Sequence, residues 1–122
     1  MTNRKILICD DEEGIRESLK LILEEHYELI LSDHGDACLE FLKNDDDIDL
    51  VLLDIKMPKI HGLDVLEMIK KQNPNVKVIM VTGYQSVDTA SVAAQRGASG
   101  YIIKPFKADD ILNSVKKHVE PK

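Results

Sequence analysis

Several residues that can bind a cation or take part in group transfer directly follow short apolar segments. Asp10 and Asp11 follow one such segment, Asp54 follows a second, Thr82 a third and Lys104 a fourth. Carboxylates bind hard cations or act as nucleophiles, a hydroxyl donates hydrogen bonds, and an ammonium group neutralises negative charge. Brought together by the fold, these residues would form a site for a divalent cation.

The elements that must position these residues alternate along the chain. Apolar β-type segments occur at residues 5–9, 27–31, 49–53, 76–81 and 100–103, and the continuous apolar character of most of them is typical of parallel strands buried on both faces. Helical spacing of apolar residues marks residues 15–23, 38–42, 63–69, 86–96 and 111–119. The fourth helical segment offers only alanine and valine, so we expect it to be the least anchored and most mobile helix.

This strict alternation predicts an α/β fold, a doubly wound parallel sheet with right-handed crossovers and helices on both faces. We expect the strand order 2-1-3-4-5, which places the first and third strands side by side. Ligands of such sheets bind beyond the carboxyl ends of the strands, at the point where the winding reverses. Asp10, Asp11 and Asp54 should therefore meet at one edge of the sheet.

Two interpretations of the acidic residues remain open. The run from Asp10 to Glu13 could simply begin a helix, because negative charge is favourable near a helix N-terminus. Grouped with Asp54, however, these carboxylates would repel one another and require a positive partner. Oxygen ligands select Mg²⁺, Mn²⁺ or Ca²⁺, whereas zinc is disfavoured because the sequence shows no Cys or His cluster.

The composition predicts a single domain over residues 1–122. Apolar residues make up 43% of the chain and charged residues 31%, a balance typical of compact domains, and the net charge of −6 disfavours direct binding to nucleic acid or a membrane. Cys9 and Cys38 lie in apolar segments, so we expect buried, reduced thiols and a cytoplasmic location. We expect no signal peptide at residues 1–9, and a stand-alone or excised domain because the sequence ends at Lys122.

Four motifs at the predicted strand ends are similar to those of bacterial response-regulator receiver domains of the CheY-like type. They are residues 6–12 (ILICDDE), 53–58 (LDIKMP), 81–83 (VTG) and 100–106 (GYIIKPF), and together they span nearly the whole chain. Residues 82–84 (TGY) and 97–98 (GA) also resemble receivers of enhancer-binding, NtrC-like regulators. The resemblance implies the flavodoxin-like (βα)5 version of the predicted fold.

The resemblance also implies a phosphoacceptor and a metal site. Asp54 would accept a phosphoryl group from a phosphohistidine. Mg²⁺ (or Mn²⁺) would be held by Asp11, Asp54 and the backbone carbonyl of Lys56, while Asp10 would act mostly through bound water. These implied roles agree with the argument that the clustered carboxylates need a cation.

Further roles implied by the resemblance concern the fourth and fifth strands. Lys104 would neutralise charge on the phosphoryl group, and the Lys104–Pro105 bond would be cis. The Thr82 hydroxyl would donate to a phosphoryl oxygen, with Gly83 leaving room for backbone approach. Movement of Thr82 would let Tyr101 rotate and remodel the surface of the fourth helix, fifth strand and fifth helix. The alternatives are a surface lysine, a strand threonine and a structural aromatic.

Lys56 and Tyr84 lie two residues after Asp54 and Thr82, at positions that vary in the family. We hypothesise that they limit water access and slow self-dephosphorylation; the alternative is that both side chains point into solvent.

The implied partners are a sensor histidine kinase or phosphotransfer protein and a downstream output domain or target protein. The phosphorylated protein could be a monomer or a phosphorylation-dependent homodimer. We expect a signalling domain that catalyses its own phosphorylation and slow self-dephosphorylation. A phosphorylation-independent pseudo-receiver is the alternative, while a phosphatase is disfavoured because Lys56 stands where a second acid is needed.

Overall fold

The computed structural model describes residues 4–119 of the chain. Five strands and five helices alternate within this range. In chain order they are β1 (Lys5–Cys9), α1 (Glu13–Leu23), β2 (Glu28–Ser32), α2 (Gly35–Asn44), β3 (Ile48–Leu53), α3 (Gly62–Gln72), β4 (Lys77–Thr82), α4 (Val87–Gln95), β5 (Gly100–Ile103) and α5 (Ala108–Val119).

The predicted elements are confirmed, with one-residue shifts of the boundaries of three strands. The second strand was predicted at residues 27–31, but β2 begins one residue later because the N–H of Tyr27 donates to the carbonyl of Leu23 at the end of α1. The third begins one residue earlier than predicted. The fourth strand was predicted at 76–81, but β4 runs from Lys77 to Thr82, so Thr82 is the last residue of the strand and does not follow it.

The predicted ends of the domain, at residues 1 and 122, lie outside the described residues. The same holds for the first three residues of the segment in which no signal peptide was expected. Within residues 4–119, no helix combines the length and the apolar character needed to span a membrane.

The sheet has the predicted order β2-β1-β3-β4-β5, and all its strands are parallel. Its residues alternate between two apolar clusters: Leu7 and Cys9 belong to one, Ile6 and Ile8 to the other. One cluster is closed by α2, α3 and α4, and the opposite one by α1 and α5. Burial on both faces explains why the central strands are continuously apolar.

The fourth helix is weakly buried, as its composition predicted. Ala93 is its only buried residue within the described chain, and the exposed Val87 lies at its first position. Its start is fixed by Ser86, whose hydroxyl accepts hydrogen bonds from the N–H groups of Asp88 and Thr89. Because so little apolar surface anchors α4, its motion relative to the sheet remains a prediction of this fold.

The two cysteines are both buried and unpaired, as expected. A hydrogen bond to Cys9, together with burial, raises the pKa of the Cys38 thiol. Thiols that ionise with such difficulty are weak nucleophiles. The pair therefore acts as part of the apolar core.

Gly62 brings α3 against the end of β3. Its N–H donates to the carbonyl of Ile55 at 2.7 Å. A Cβ atom at this position would overlap the backbone of Asp54 and Ile55. The absence of a side chain at residue 62 is thus needed to hold the loop that carries the Asp54 carboxylate.

We expect Gly62→Ala to lower the free energy of unfolding by about 1–3 kcal/mol, because the new methyl group must displace the backbone that follows β3. Gly14→Ala is the matched control, since no atom lies within 4 Å of the added Cβ on α1. The control should raise stability by about 0.5 kcal/mol. Urea unfolding measures both, and equal midpoints for Gly62→Ala and the natural protein would contradict this account.

Candidate functional site

Three polar residues are buried at the carboxyl ends of three neighbouring strands, β1, β3 and β4. Asp10, Asp54 and Thr82 are only 2%, 3% and 1% exposed. The N–H of Asp54 donates to Cys9 and that of Asp10 to Ser32, each at 3.0 Å, so the parallel ladder continues one residue beyond the strands. The predicted meeting of Asp10, Asp11 and Asp54 at the carboxyl edge is confirmed, because their carboxylate oxygens lie within 4.8 Å of one another.

Lys104 supplies the positive charge at this edge. Its ammonium nitrogen lies 2.9 Å from a carboxylate oxygen of Asp10, 3.2 Å from Glu12 and 3.3 Å from Asp54. The backbone N–H of Lys104 donates to the carbonyl of Thr82 at 2.8 Å, and the Lys104–Pro105 bond is cis, as the resemblance implied. The lysine is therefore a bridge between strands and not a free surface residue.

Four carboxylates converge around the open side of Lys104. Asp10, Asp11, Glu12 and Asp54 each offer an oxygen, and these oxygens lie within 4.8 Å of one another. Among residues 4–119, Lys104 is the one basic side chain that forms ion pairs with these carboxylates, so the cluster carries an excess of negative charge. An all-oxygen donor set with that charge suits a hard divalent cation such as Mg²⁺ or Mn²⁺.

Glu12 was not among the predicted site residues. Its place in the run from Asp10 to Glu13 predicts an acidic helix start, and α1 does begin at the next residue. Its N–H donates to Asp10 Oδ1 at 2.9 Å, while its carboxylate reaches Lys104. The two interpretations of the acidic run are therefore compatible, and the position of Glu12 directly after Asp11 was the available signal.

Burial makes the carboxyl group of Asp10 harder to ionise. Burial raises its pKa above the ordinary value and the charge of Asp54 adds to this, although hydrogen bonds from Glu12 and Lys104 act in the opposite direction. Burial lowers the pKa of Lys104, but the hydrogen bond and charge of Asp10 together with the charge of Asp54 outweigh it, so the net direction is upward. The lysine therefore stays protonated across the physiological range.

Thr82 and Tyr101 are joined through Tyr84, in the loop between β4 and α4. The Thr82 hydroxyl accepts a hydrogen bond from the N–H of Tyr84 at 3.3 Å. The Tyr101 hydroxyl donates to the carbonyl of Tyr84 at 2.9 Å. Burial and the charge of Asp54 raise the pKa of Tyr101, which keeps this hydroxyl protonated as a donor.

The carboxylate of Asp54 opens into a cleft of about 400 Å³. Lys56 and Tyr84 are both exposed residues, and both line this cleft. The surroundings of Gly83 are open, as expected for a point of backbone approach. Pro105 follows Lys104 just outside the cleft. The lining is formed by Asp11, Glu12, Asp54, Lys56, Thr82, Gly83, Tyr84 and Lys104.

Residues 6–116 match the family model of the response regulator receiver domain. Sporulation initiation phosphotransferase F of Bacillus subtilis is 36% identical over 98% of this chain and 96% of its own length. A solved CheY-like receiver domain from Methanospirillum hungatei has a TM-score of 0.93 and 37% identity, covering 98% of this chain and 95% of that one.

Longer proteins also match the chain. The response regulator FleR of Pseudomonas aeruginosa is 34% identical over 93% of this chain, which corresponds to 24% of that protein. The structure of NtrX from Brucella abortus has a TM-score of 0.89 and 36% identity, covering 98% of this chain and 27% of that one. This chain is thus similar both to proteins of its own length and to one part of larger regulators.

We expect Asp10→Asn to raise the stability of the metal-free protein at neutral pH by on the order of 1 kcal/mol. The substitution removes a buried negative charge beside that of Asp54 and keeps an oxygen acceptor for the N–H of Glu12. A carboxyl whose pKa is raised on folding costs stability above its unfolded pKa. That cost disappears as the pH falls through the range in which it protonates.

The advantage of Asp10→Asn should therefore shrink as the pH is lowered toward 4 and below, where Asp10 itself becomes neutral. Urea unfolding in a chelator across this pH range measures the effect. Asp46→Asn, at an exposed position outside the cluster, is the control. An equal or lower stability of Asp10→Asn at neutral pH would show that burial does not penalise this charge.

Proposed function

This chain belongs to the family of response-regulator receiver domains, and we propose that Asp54 is its phosphoacceptor in a His-Asp phosphorelay. The observation that carries the proposal is the Asp54 carboxylate itself. It is 3% exposed, lies 3.3 Å from Lys104, and still opens into a cleft lined by other acids. A buried, paired carboxylate that remains accessible from one side suits a nucleophile.

The surroundings of Asp54 orient the attacking oxygen. Asp54 Oδ1 accepts a hydrogen bond from the N–H of Ile55 at 2.8 Å, and Oδ2 faces Lys104. In the proposed transfer, a carboxylate oxygen forms a bond to phosphorus while the bond from phosphorus to the donor imidazole nitrogen breaks. The leaving imidazole retains the electron pair and takes up a proton. Lys104 neutralises charge that develops on the phosphoryl oxygens.

We propose that Asp11, Asp54 and the backbone carbonyl of Lys56 hold Mg²⁺ or Mn²⁺, with Asp10 acting through water. Bound there, the ion supplies positive charge to the phosphoryl oxygens. Support comes from the convergent oxygen donors and from their excess negative charge. Glu12 competes for the same Lys104 and adds a further carboxylate to this cluster.

The proposed switch uses the hydrogen bonds that meet at Tyr84. Thr82 accepts from the N–H of Tyr84 in the described state, so its hydroxyl proton is free to turn toward a phosphoryl oxygen. A shift of Thr82 would move Tyr84 and with it the acceptor of Tyr101. The weakly buried α4 follows this loop directly, so the surface of α4, β5 and α5 would change.

The proposed phosphodonor is a sensor histidine kinase or a phosphotransfer protein, and the signal passes to an output domain or a target protein. We also propose that the phosphorylated domain can form a homodimer through the remodelled surface. Lys56 and Tyr84 are proposed to limit the access of water to the aspartyl phosphate, because both line the cleft.

We expect incubation with a small phosphodonor such as acetyl phosphate and Mg²⁺ to add one phosphoryl group, measured by intact mass. Asp54→Asn should show no uptake, whereas Asp46→Asn, at an exposed position, should match the natural protein. Lys104→Ala should reduce uptake because it removes the partner of the transferring group. Unchanged uptake in Asp54→Asn would refute the assignment, and no uptake by the natural protein would favour a pseudo-receiver.

We expect Asp11→Asn to weaken Mg²⁺ binding at least about tenfold, since loss of a direct ligand should cost no less than loss of a supporting residue. Isothermal calorimetry of the unphosphorylated protein measures the affinity, again with Asp46→Asn as the control. Equal affinities for Asp11→Asn and the natural protein would place the ion elsewhere.

A further inference from the structure

The ring of His61 contacts the phosphoacceptor cleft indirectly, through Tyr84. The two rings stack with centroids 6.4 Å apart and planes inclined by 25°. His61 precedes α3 on the loop that follows β3, whereas Tyr84 lies on the loop between β4 and α4. The stack therefore joins the two loops that flank Asp54.

His61 is an exposed residue whose ring has one side-chain anchor on its own side of the contact. It is the N-cap of α3, and its Nδ1 accepts a hydrogen bond from the N–H of Leu63 at 3.3 Å. The next residue, Gly62, lies directly against the backbone of Asp54 and Ile55. The backbone at His61 is thus tied to the strand that carries the phosphoacceptor, and the hydrogen bond from Leu63 restricts its ring.

Tyr84 lies on a less firmly held segment. Tyr84 is 39% exposed as a residue and lines the cleft, and the helix that follows has Ala93 as its only buried residue in the described chain. The backbone N–H of Tyr84 donates a hydrogen bond to the Thr82 hydroxyl, and its carbonyl accepts one from the Tyr101 hydroxyl. A contact that fixes the Tyr84 ring therefore also limits how far this loop can move from the site.

We propose that His61 is a positioning residue: its ring holds Tyr84 over the cleft and thereby prolongs the lifetime of the aspartyl phosphate. The inference rests on the proposed phosphorylation of Asp54. Hydrolysis requires a water molecule to reach phosphorus in line with the bond to Asp54. A Tyr84 ring held across the opening obstructs that approach, and a ring released from His61 does so less often.

The ring and the cap of His61 can be separated by substitution. His61→Asn keeps a side-chain acceptor suitable for an N-cap but removes the ring. His61→Phe keeps an aromatic ring but removes the acceptor. A purely structural cap predicts that His61→Phe is the damaging change, whereas positioning of Tyr84 predicts that His61→Asn is.

The first experiment measures the half-life of the phosphorylated full chain after removal of the phosphodonor. We expect His61→Asn to shorten it by about threefold, the scale of one lost aromatic contact. His61→Phe should stay close to the natural half-life. His26→Asn is the matched control, because it removes the ring contact of His26 with Tyr27 outside this site. A half-life shortened only in His61→Phe, or in neither variant, would overturn the proposal.

A double-mutant cycle tests whether His61 acts through Tyr84. In a Tyr84→Ala background, His61→Asn should cause no further shortening, because the ring it positions is absent. An equal shortening with and without Tyr84 would overturn the proposed route.

A second measurement does not require phosphorylation. Amide hydrogen exchange at residues 83–89 of the unphosphorylated protein should be faster in His61→Asn than in His61→Phe or the natural protein. Failure of the natural protein to take up a phosphoryl group would refute the proposed function while leaving this test of the stack intact. Equal exchange in all three proteins would overturn the positioning role itself.

Discussion

The pairing of Lys104 with buried carboxylates is the interaction on which the carboxyl edge of the sheet depends. Asp10 and Asp54 are almost fully enclosed, and a buried carboxylate without a partner would be costly. Lys104 reaches both from the end of β5, across the strand that ends in Thr82. Strand order and charge balance therefore depend on each other at this edge.

The lysine relieves only part of the electrostatic cost. Asp10 remains a carboxyl that burial makes hard to ionise, and two more acids stand on the open side of the cluster. The folded protein therefore contains a cluster of carboxylates whose negative charge its own lysine neutralises only in part. Such an arrangement favours a ligand that brings positive charge, and it explains why metal binding and phosphoryl transfer are proposed for the same few residues.

The sheet is packed tightly on both faces, whereas α4 is packed weakly against it. The central strands contribute side chains to apolar clusters on both faces, which gives the acidic site a rigid base. By comparison, α4 is anchored by one buried alanine and by polar contacts at its ends. A rigid base beside a loosely packed helix is the arrangement in which a local change in charge can move a surface.

The sequence by itself determined the order of the elements, the parallel sheet and the acids at its edge, because apolar periodicity and turn residues are local properties of the chain. It also placed the buried cysteines and the weak fourth helix. The cis Lys104–Pro105 bond was implied only by the family resemblance, since an X–Pro sequence alone favours trans.

Only the tertiary structure decided the contacts that loops make with one another and with the sheet edge. It brought Glu12 to Lys104 and stacked His61 on Tyr84, residues separated by long stretches of chain whose contact depends on loop geometry. It also decided that β2 begins after Tyr27, because the N–H of Tyr27 donates a hydrogen bond to the carbonyl of Leu23 in the preceding helix. Contacts of this kind join distant segments and leave no periodic signal in the sequence, so they cannot be predicted from any single segment.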